Sequence, residues 1–149
     1  LHTNDAPGVV ARLDNMGIEP YLIAGVLRGV FAQRLVRRLC THCRQRFEPE
    51  PSELALFERM KMKLPDDLVL YRPVGCEHCM NTGFRGRVAL LEYFYVDLEV
   101  EELILSRCSS ERLKQELHRK GMVSLLESGL QQVIRGVTTL QEVQKEVTI

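Results

Sequence analysis

No excess charge of either sign marks this sequence. Its 20 basic and 20 acidic residues give a formal net charge of zero. That argues against a general nucleic-acid binder, since such proteins are basic overall. The sequence also lacks any apolar run near the roughly 20 residues that a membrane-crossing helix needs. No charged-then-apolar segment of the kind that directs export opens it, and it shows no internal repeat or low-complexity stretch. These absences leave a soluble, cytoplasmic protein as the expectation. With Leu1 rather than Met at its start, the sequence also reads as part of a longer protein. What is present suffices for a core: 149 residues, 45% of them hydrophobic. That is enough for one domain, or one lobe with a small appendage, and too apolar for wholesale disorder.

Four of the five cysteines form two hooks, Cys40-Thr41-His42-Cys43 and Cys76-Glu77-His78-Cys79, with 32 residues between Cys43 and Cys76. Two thiolates two residues apart can hold one ion through a tight turn. Two such turns supply four sulfurs at the corners of a tetrahedron, the arrangement zinc takes in closed structural sites. The spacing between the hooks exceeds the usual one for paired C-x-x-C sites, so the linker must fold as an excursion of its own. Competing readings are redox pairs, disulfides and chance. A thioredoxin-type site needs one C-x-x-C in a βαβ setting. An unpaired fifth cysteine, Cys108, points to a reducing compartment and away from disulfides. His42 and His78 lie inside the hooks as alternative ligands, ranked below Cys40, Cys43, Cys76 and Cys79 because four sulfurs already close the shell.

In chain order, Asn4 or Asp5 caps a first helix with Pro7 in its first turn. Val9, Val10, Leu13 and Met16 share one face of it, and Gly17 stops it. A second helix starts near Pro20. Tyr21, Leu22, Ile23, Val26, Leu27, Val30 and Phe31 wrap most of its circumference, which predicts a buried helix, with Gly25 and Gly29 admitting a neighbour's backbone. Gln33 to Leu39 alternates and reads as a strand. From Pro20 to Phe47 stand six arginines (Arg28, Arg34, Arg37, Arg38, Arg44 and Arg46) and no acidic residue. They form either a phosphate- or carboxylate-facing surface or a solvated face paired with acidic neighbours.

Glu48-Pro49-Glu50-Pro51 is a stiff linker, and Ser52 is expected to cap a short helix over about Glu53 to Met60. Pro65-Asp66-Asp67 is a turn, and Leu68 to Tyr71 a short strand. Asn81-Thr82-Gly83 and Arg85-Gly86-Arg87 are turn signals, followed by a strand over Val88 to Tyr95. The last third is helical. Asp97 caps Leu98 to Arg107, Ser109 or Ser110 caps the next helix, which ends at Gly121, and a third covers Val123 to Arg135 and stops at Gly136. Thr139 with Glu142 makes a capping box for a last helix. Leu113, Leu117, Leu125, Leu126, Leu130, Val133 and Ile134 form the stripe of a small bundle. Cys108 sits at a helix junction and reads as a buried apolar residue, not a ligand.

Taken in order, Leu1-His2-Thr3-Asn4-Asp5-Ala6, Gln33-Arg34-Leu35-Val36-Arg37, the two hooks, Gly86-Arg87 with Glu92, Gly121-Met122, and Gly136 with Thr138-Thr139-Leu140 and Glu142-Val143 resemble the C-terminal part of the type II secretion and type IV pilus assembly ATPases. The resemblance covers essentially the whole chain. It implies an α/β fold, the C-terminal portion of a RecA-like P-loop ATPase lobe, with an inserted four-cysteine zinc module and a small helical subdomain. The implied divisions are residues 1–39 for the core, 40–80 for the zinc module, 81–96 for the return to the core and 97–149 for the helical part. It further implies a hexamer at the cytoplasmic face of the inner membrane, peripheral to it. Its implied partners are a membrane platform protein and cytoplasmic membrane-anchor subunits, with ATP and Mg2+ as cofactors of the full-length protein.

By the same resemblance, His2 matches the family's His box near the nucleotide's terminal phosphate, and Gln33 and Arg34 open a late core strand in the nucleotide's vicinity. Without the resemblance, His2 is a histidine near a helix N-terminus with no catalytic task. No G-x-x-x-x-G-K-[ST] occurs in this sequence, and that loop is what cradles phosphates. No acidic magnesium-binding strand or catalytic glutamate can be matched either. The expectation is therefore the edge of an active site without its centre, inactive alone. The competing classes are an autonomous zinc-dependent interaction module and a zinc-ribbon nucleic-acid binder, the latter opposed by zero net charge and the lack of stacking aromatics near the hooks.

Overall fold

The computed structural model describes residues 3–147. Among them the chain forms seven helices and two two-stranded sheets, an α/β composition. In order these are α1 (Gly8–Asn15), α2 (Pro20–Val26), β1 (Gly29–Leu39), β2 (Gln45–Phe47), α3 (Pro51–Arg59), β3 (Leu70–Arg72), β4 (Phe84–Tyr95), α4 (Leu98–Leu105), α5 (Ser110–Arg119), α6 (Leu125–Ile134) and α7 (Leu140–Glu146). Strand β1 pairs with β4, and β2 pairs antiparallel with β3 in the register Gln45↔Arg72, Arg46↔Tyr71, Phe47↔Leu70. No helix of the described residues is long and apolar enough to cross a membrane. Two compact units share the chain. One joins the described residues through Gln33 to Leu91–Leu125, and the other joins Arg34–Leu90 to the described residues from Leu126 onward.

The first unit is built on an apolar cluster of Ala6, Ile23, Ala24, Val30, Phe94, Val96, Val100, Ile104, Leu113, Leu117 and Met122. Helix α2 packs on α4, and α1 touches α2 and α5. The caps follow the local chemistry. Asp97 accepts from the Val100 N–H and Ser109 from the Arg112 N–H, each satisfying a donor that the first turn leaves open. Leu113 and Leu117 stand one turn apart and bury together. Half-buried Cys108 packs against this cluster, as its apolar reading requires.

The second helix is shorter than its sequence suggests. It ends at Val26, and β1 begins at Gly29. Only Pro20, Ile23 and Ala24 are buried on it, while Tyr21 and Val26 are 63% and 75% exposed. A stretch apolar on almost every side, interrupted only by Arg28 and two glycines, has no clear period, so it cannot show where a helix gives way to a strand. Val30 and Phe31 belong to the strand. Val30 enters the core, and Phe31 lies on the opposite face, stacked on Tyr93 at 5.4 Å. Gly29 does meet a neighbouring backbone, since a Cβ there would lie 3.2 Å from the Phe94 carbonyl oxygen, whereas Gly25 faces open space. Met16, expected to share the apolar face of the first helix, follows its last residue and is 58% exposed.

The second unit buries Val36, Leu39, Phe57, Leu70, Leu90, Leu130, Val133, Leu140, Val143 and Val147. The excursion between the hooks is a β2–α3–β3 unit that closes Phe57 into this core. Helix α3 starts at Pro51, with Glu50 as its cap residue in place of Ser52, and the Glu53 carboxylate accepts from the Glu50 N–H at 2.9 Å. Proline at the first helical position loses no bond, because that N–H has no partner in the helix. Arg85, Gly86 and Arg87 make no turn. They lie inside β4, where Gly86 takes the left-handed conformation.

The Thr139 hydroxyl caps α7 by accepting from the Glu142 N–H, as expected, but Glu142 does not complete a capping box. Its nearly buried carboxylate instead grips Arg37 at 2.5 and 2.9 Å, and Arg37 also lies over the Phe84 ring at 4.1 Å. Arg28 pairs with Glu101 at 3.6 Å, and Arg44 lies over the Tyr71 ring. Arg28 and Arg37 thus pair with acidic neighbours, as the second of the two readings holds, while Arg44 is engaged by an aromatic ring instead. The hydrogen bonds from Arg37 pull the Glu142 carboxyl below its ordinary 4.5 against the opposing effect of burial. A carboxyl depressed on folding stabilises the fold fully above its unfolded value and loses that contribution as pH falls through the lower folded value. Acid titration should therefore show a stability slope below about pH 4.5 that is diminished in Glu142→Gln. Superimposable slopes for the two proteins would exclude the coupling.

Candidate metal centre

Strand β1 ends at Leu39, whose N–H donates to the Val137 carbonyl at 2.8 Å, and the first hook follows at once. The Cys40 N–H donates to the Gly83 carbonyl at 2.9 Å, and the Cys40 carbonyl accepts from the Arg44 N–H at 3.0 Å. This turn directs both Cys40 and Cys43 to one side. The second hook is a 3-10 turn over Glu77–Cys79, closed by the Cys79 N–H on the Cys76 carbonyl at 3.1 Å. Met80 and Asn81 then take the left-handed conformation and reverse the chain into β4. The Thr82 hydroxyl donates to the Cys79 carbonyl at 2.7 Å and braces the turn.

The hooks bring all four thiols together, within 4.8 Å of one another. Like faces like: Cys40 Sγ lies 3.9 Å from Cys76 Sγ, Cys43 Sγ lies 3.8 Å from Cys79 Sγ, and Cys76 Sγ lies 3.8 Å from Cys79 Sγ. All four are free. A disulfide would need about 2.05 Å. Metal–sulfur bonds of about 2.3 Å set tetrahedral edges of about 3.8 Å, so the donor set matches a four-coordinate ion. Among the described residues, this is the one group of three or more histidine, cysteine or acidic side chains close enough to hold a metal.

Three backbone N–H groups point at these sulfurs. Gly75 donates to Cys43 Sγ at 3.3 Å, and Cys76 and Gly83 each donate to Cys79 Sγ at 3.2 Å. Donors of this kind favour the thiolate. Burial pushes the Cys79 thiol up, but the N–H groups of Cys76 and Gly83, with the thiols of Cys76 and Cys43, outweigh it and bring Cys79 down to about 6. Burial and then the neighbouring thiols push Cys76 up to about 11. Gly83 is the keystone. Its φ is +77°, and a Cβ would come 2.4 Å from the Pro73 Cβ, while its N–H serves Cys79 and its carbonyl serves Cys40.

His42 and His78 are exposed and stand outside the thiol group, their rings stacked on each other at 4.1 Å. Gln33 and Arg34 are adjacent on β1, apart from the thiols in sequence and not among the metal-holding group, and each has a partner within the fold. His2 lies outside the described residues. The backbone donors at Gly75 and Gly83 leave no motif of their own, although glycine beside a C-x-x-C is the residue type that lets backbone approach sulfur.

These features define an α/β protein with a closed four-cysteine site able to hold a metal ion. The family model described as "Type II/IV secretion system protein" matches residues 1–145, and the chain belongs to that family. It is 46% identical over 147 residues to the type IV pilus assembly ATPase PilB of Myxococcus xanthus, covering 96% of this chain and 25% of that protein. It is 43% identical over 143 residues to the PilB of Thermus thermophilus, covering 96% and 16%. It is 41% identical over 145 residues to the type II secretion system ATPase E of Vibrio cholerae, covering 97% and 28%. The chain thus spans less than a third of the length of these relatives.

Proposed function

We propose that this chain is the C-terminal portion of an ATPase that powers type II secretion or type IV pilus assembly, and that its four cysteines hold a structural zinc ion. The family match over residues 1–145, hooks included, carries the reading. Four sulfurs leave no open position on the ion, so Cys40, Cys43, Cys76 and Cys79 would hold the base of the excursion closed and perform no chemistry on a substrate. When bound, zinc supplies a cross-link between two turns and nothing else. Within the whole protein the fold belongs to a RecA-like lobe. His2 would sense the terminal phosphate of ATP·Mg2+, with Gln33 and Arg34 in the nucleotide's vicinity. The whole protein would work as a hexamer at the cytoplasmic face of the inner membrane, driving a membrane platform protein and held by membrane-anchor subunits.

The test is the full-length protein. It is expected to carry a G-x-x-x-x-G-K-[ST] loop and to hydrolyse ATP, whereas the 149-residue chain alone, which has no such loop, is expected to show no turnover. Replacing His2 in the full-length protein should lower turnover and leave the zinc content unchanged. A full-length protein without that loop and without turnover would overturn the motor reading and favour an interaction module.

A further inference from the structure

We propose that His42 and His78 form a clasp that joins the two cysteine hooks and slows loss of the metal ion. The proposal rests on the metal reading above for its kinetic part and on geometry alone for the clasp itself. Each histidine occupies the third position of its own C-x-x-C. The hooks face each other in register: Cys40 meets Cys76, Cys43 meets Cys79 and His42 meets His78, all at an offset of 36 residues. The two rings lie 4.1 Å apart at 23° to each other. Both residues are exposed, so the surrounding core does not force the stack. It is a contact that joins one hook to the other.

An aromatic pair in this arrangement adds attraction beyond its buried area, and it acts between two turns separated by a 32-residue excursion. To leave, the ion must let at least one hook swing away from the other. The stack opposes that step while donating no ligand atom. Four sulfurs already fill the shell, and the imidazoles stand outside the thiol group.

Measurements on the whole chain test this. Proton NMR should show a direct contact between the ring protons of His42 and His78, and its absence would overturn the clasp whether or not metal is bound. Zinc content of the wild type reports separately on the metal reading. Zinc release to a chromogenic chelator should be about threefold to tenfold faster in His42→Ala and in His78→Ala, the factor expected for losing one aromatic pair. The double variant should be no faster than either single one, because one contact is lost in each. His42→Phe and His78→Phe keep a stackable ring without a ring nitrogen and should release zinc at nearly the wild-type rate. The cobalt-substituted absorption spectrum should stay that of four sulfurs in every variant. Phenylalanine variants as fast as the alanine ones, or additive losses, would overturn the clasp, and a cobalt spectrum that changes with either histidine would overturn it by assigning that imidazole a ligand role.

Discussion

Replacing Cys79 with serine is expected to lower the bound metal from one ion per chain to well under one and to open the segment between the hooks. Cys79 is the most entangled of the four. It is buried, its sulfur accepts from the N–H groups of Cys76 and Gly83, and its carbonyl accepts from the Thr82 hydroxyl. Serine offers a hard oxygen in place of a soft sulfur, and borderline-soft zinc binds it less well. In small zinc domains the ion contributes on the order of 10 kcal/mol to folding. Here the segment between the hooks has apolar anchors of its own, since Phe57 and Leu70 are buried in the second unit. The loss should therefore fall on what the ion alone holds.

Hydrogen exchange should rise first at the N–H groups of Gly75, Cys76 and Gly83, which point at sulfur, and then along β2 and β3. The first unit should keep its protection, as its core of Ile23, Val100, Leu113 and Leu117 contains no ligand. A strong chelator should reproduce the pattern in the wild type. Because ligand sulfurs must be deprotonated to bind, release should become easier as pH falls. Unchanged exchange at those three amides after complete metal removal would refute a structural role for the ion.

The four-cysteine cluster is legible in the sequence because its chemistry is local. Two residues between cysteines dictate a tight turn, and two such turns need only be brought together. The helix caps at Asp97, Ser109 and Thr139 are legible for the same reason, since each is one side chain answering the next turn's open donors. The left-handed glycines that stop α1, α5 and α6 likewise stand where the sequence places them, at Gly17, Gly121 and Gly136. Legibility fails where partners are distant. Thr139-x-x-Glu142 has the spacing of a reciprocal capping box, yet a guanidinium 105 residues away competes for the glutamate and wins. The helix-to-strand change near Leu27 fails differently. A run that is apolar on almost every side lets both periods fit, and the backbone contact of Gly29 with Phe94 is set by strand pairing that no local pattern announces.

A signal that sequence inspection can recover is an acid on the buried face of an alternating strand: Leu90, Glu92 and Phe94 are all buried on β4, while Leu91, Tyr93 and Tyr95 are exposed. Glu92 is 2% exposed, and one carboxylate oxygen accepts from the Ala6 N–H at 2.6 Å while the other accepts from the Leu125 N–H at 2.9 Å. Both backbone donors are buried with it, and a carboxylate is the one side chain of this size that accepts through both of its terminal atoms. Glutamine keeps the volume but turns one terminal atom into a donor, so one N–H loses its acceptor and faces an amide N–H₂.

Leaving a buried donor unsatisfied costs about 1–3 kcal/mol, and bonds to a charged acceptor lie in the upper part of that range. Glu92→Gln should therefore destabilise the first unit by about 2–3 kcal/mol, and Glu92→Ala, which strands both donors, by about twice that. That is a large share of the roughly 5–15 kcal/mol that holds a domain together. Urea unfolding followed by circular dichroism gives the magnitude. Amide exchange at Ala6 and Leu125 gives the assignment, because a general loosening would raise exchange throughout α4 and α5, whereas loss of this clamp should release those two amides first. The glutamine variant should also retain its full complement of metal, since Glu92 lies in the first unit and the four thiols in the second. A glutamine variant as stable as the wild type, with both amides still protected, would show that the carboxylate's double acceptance carries no weight.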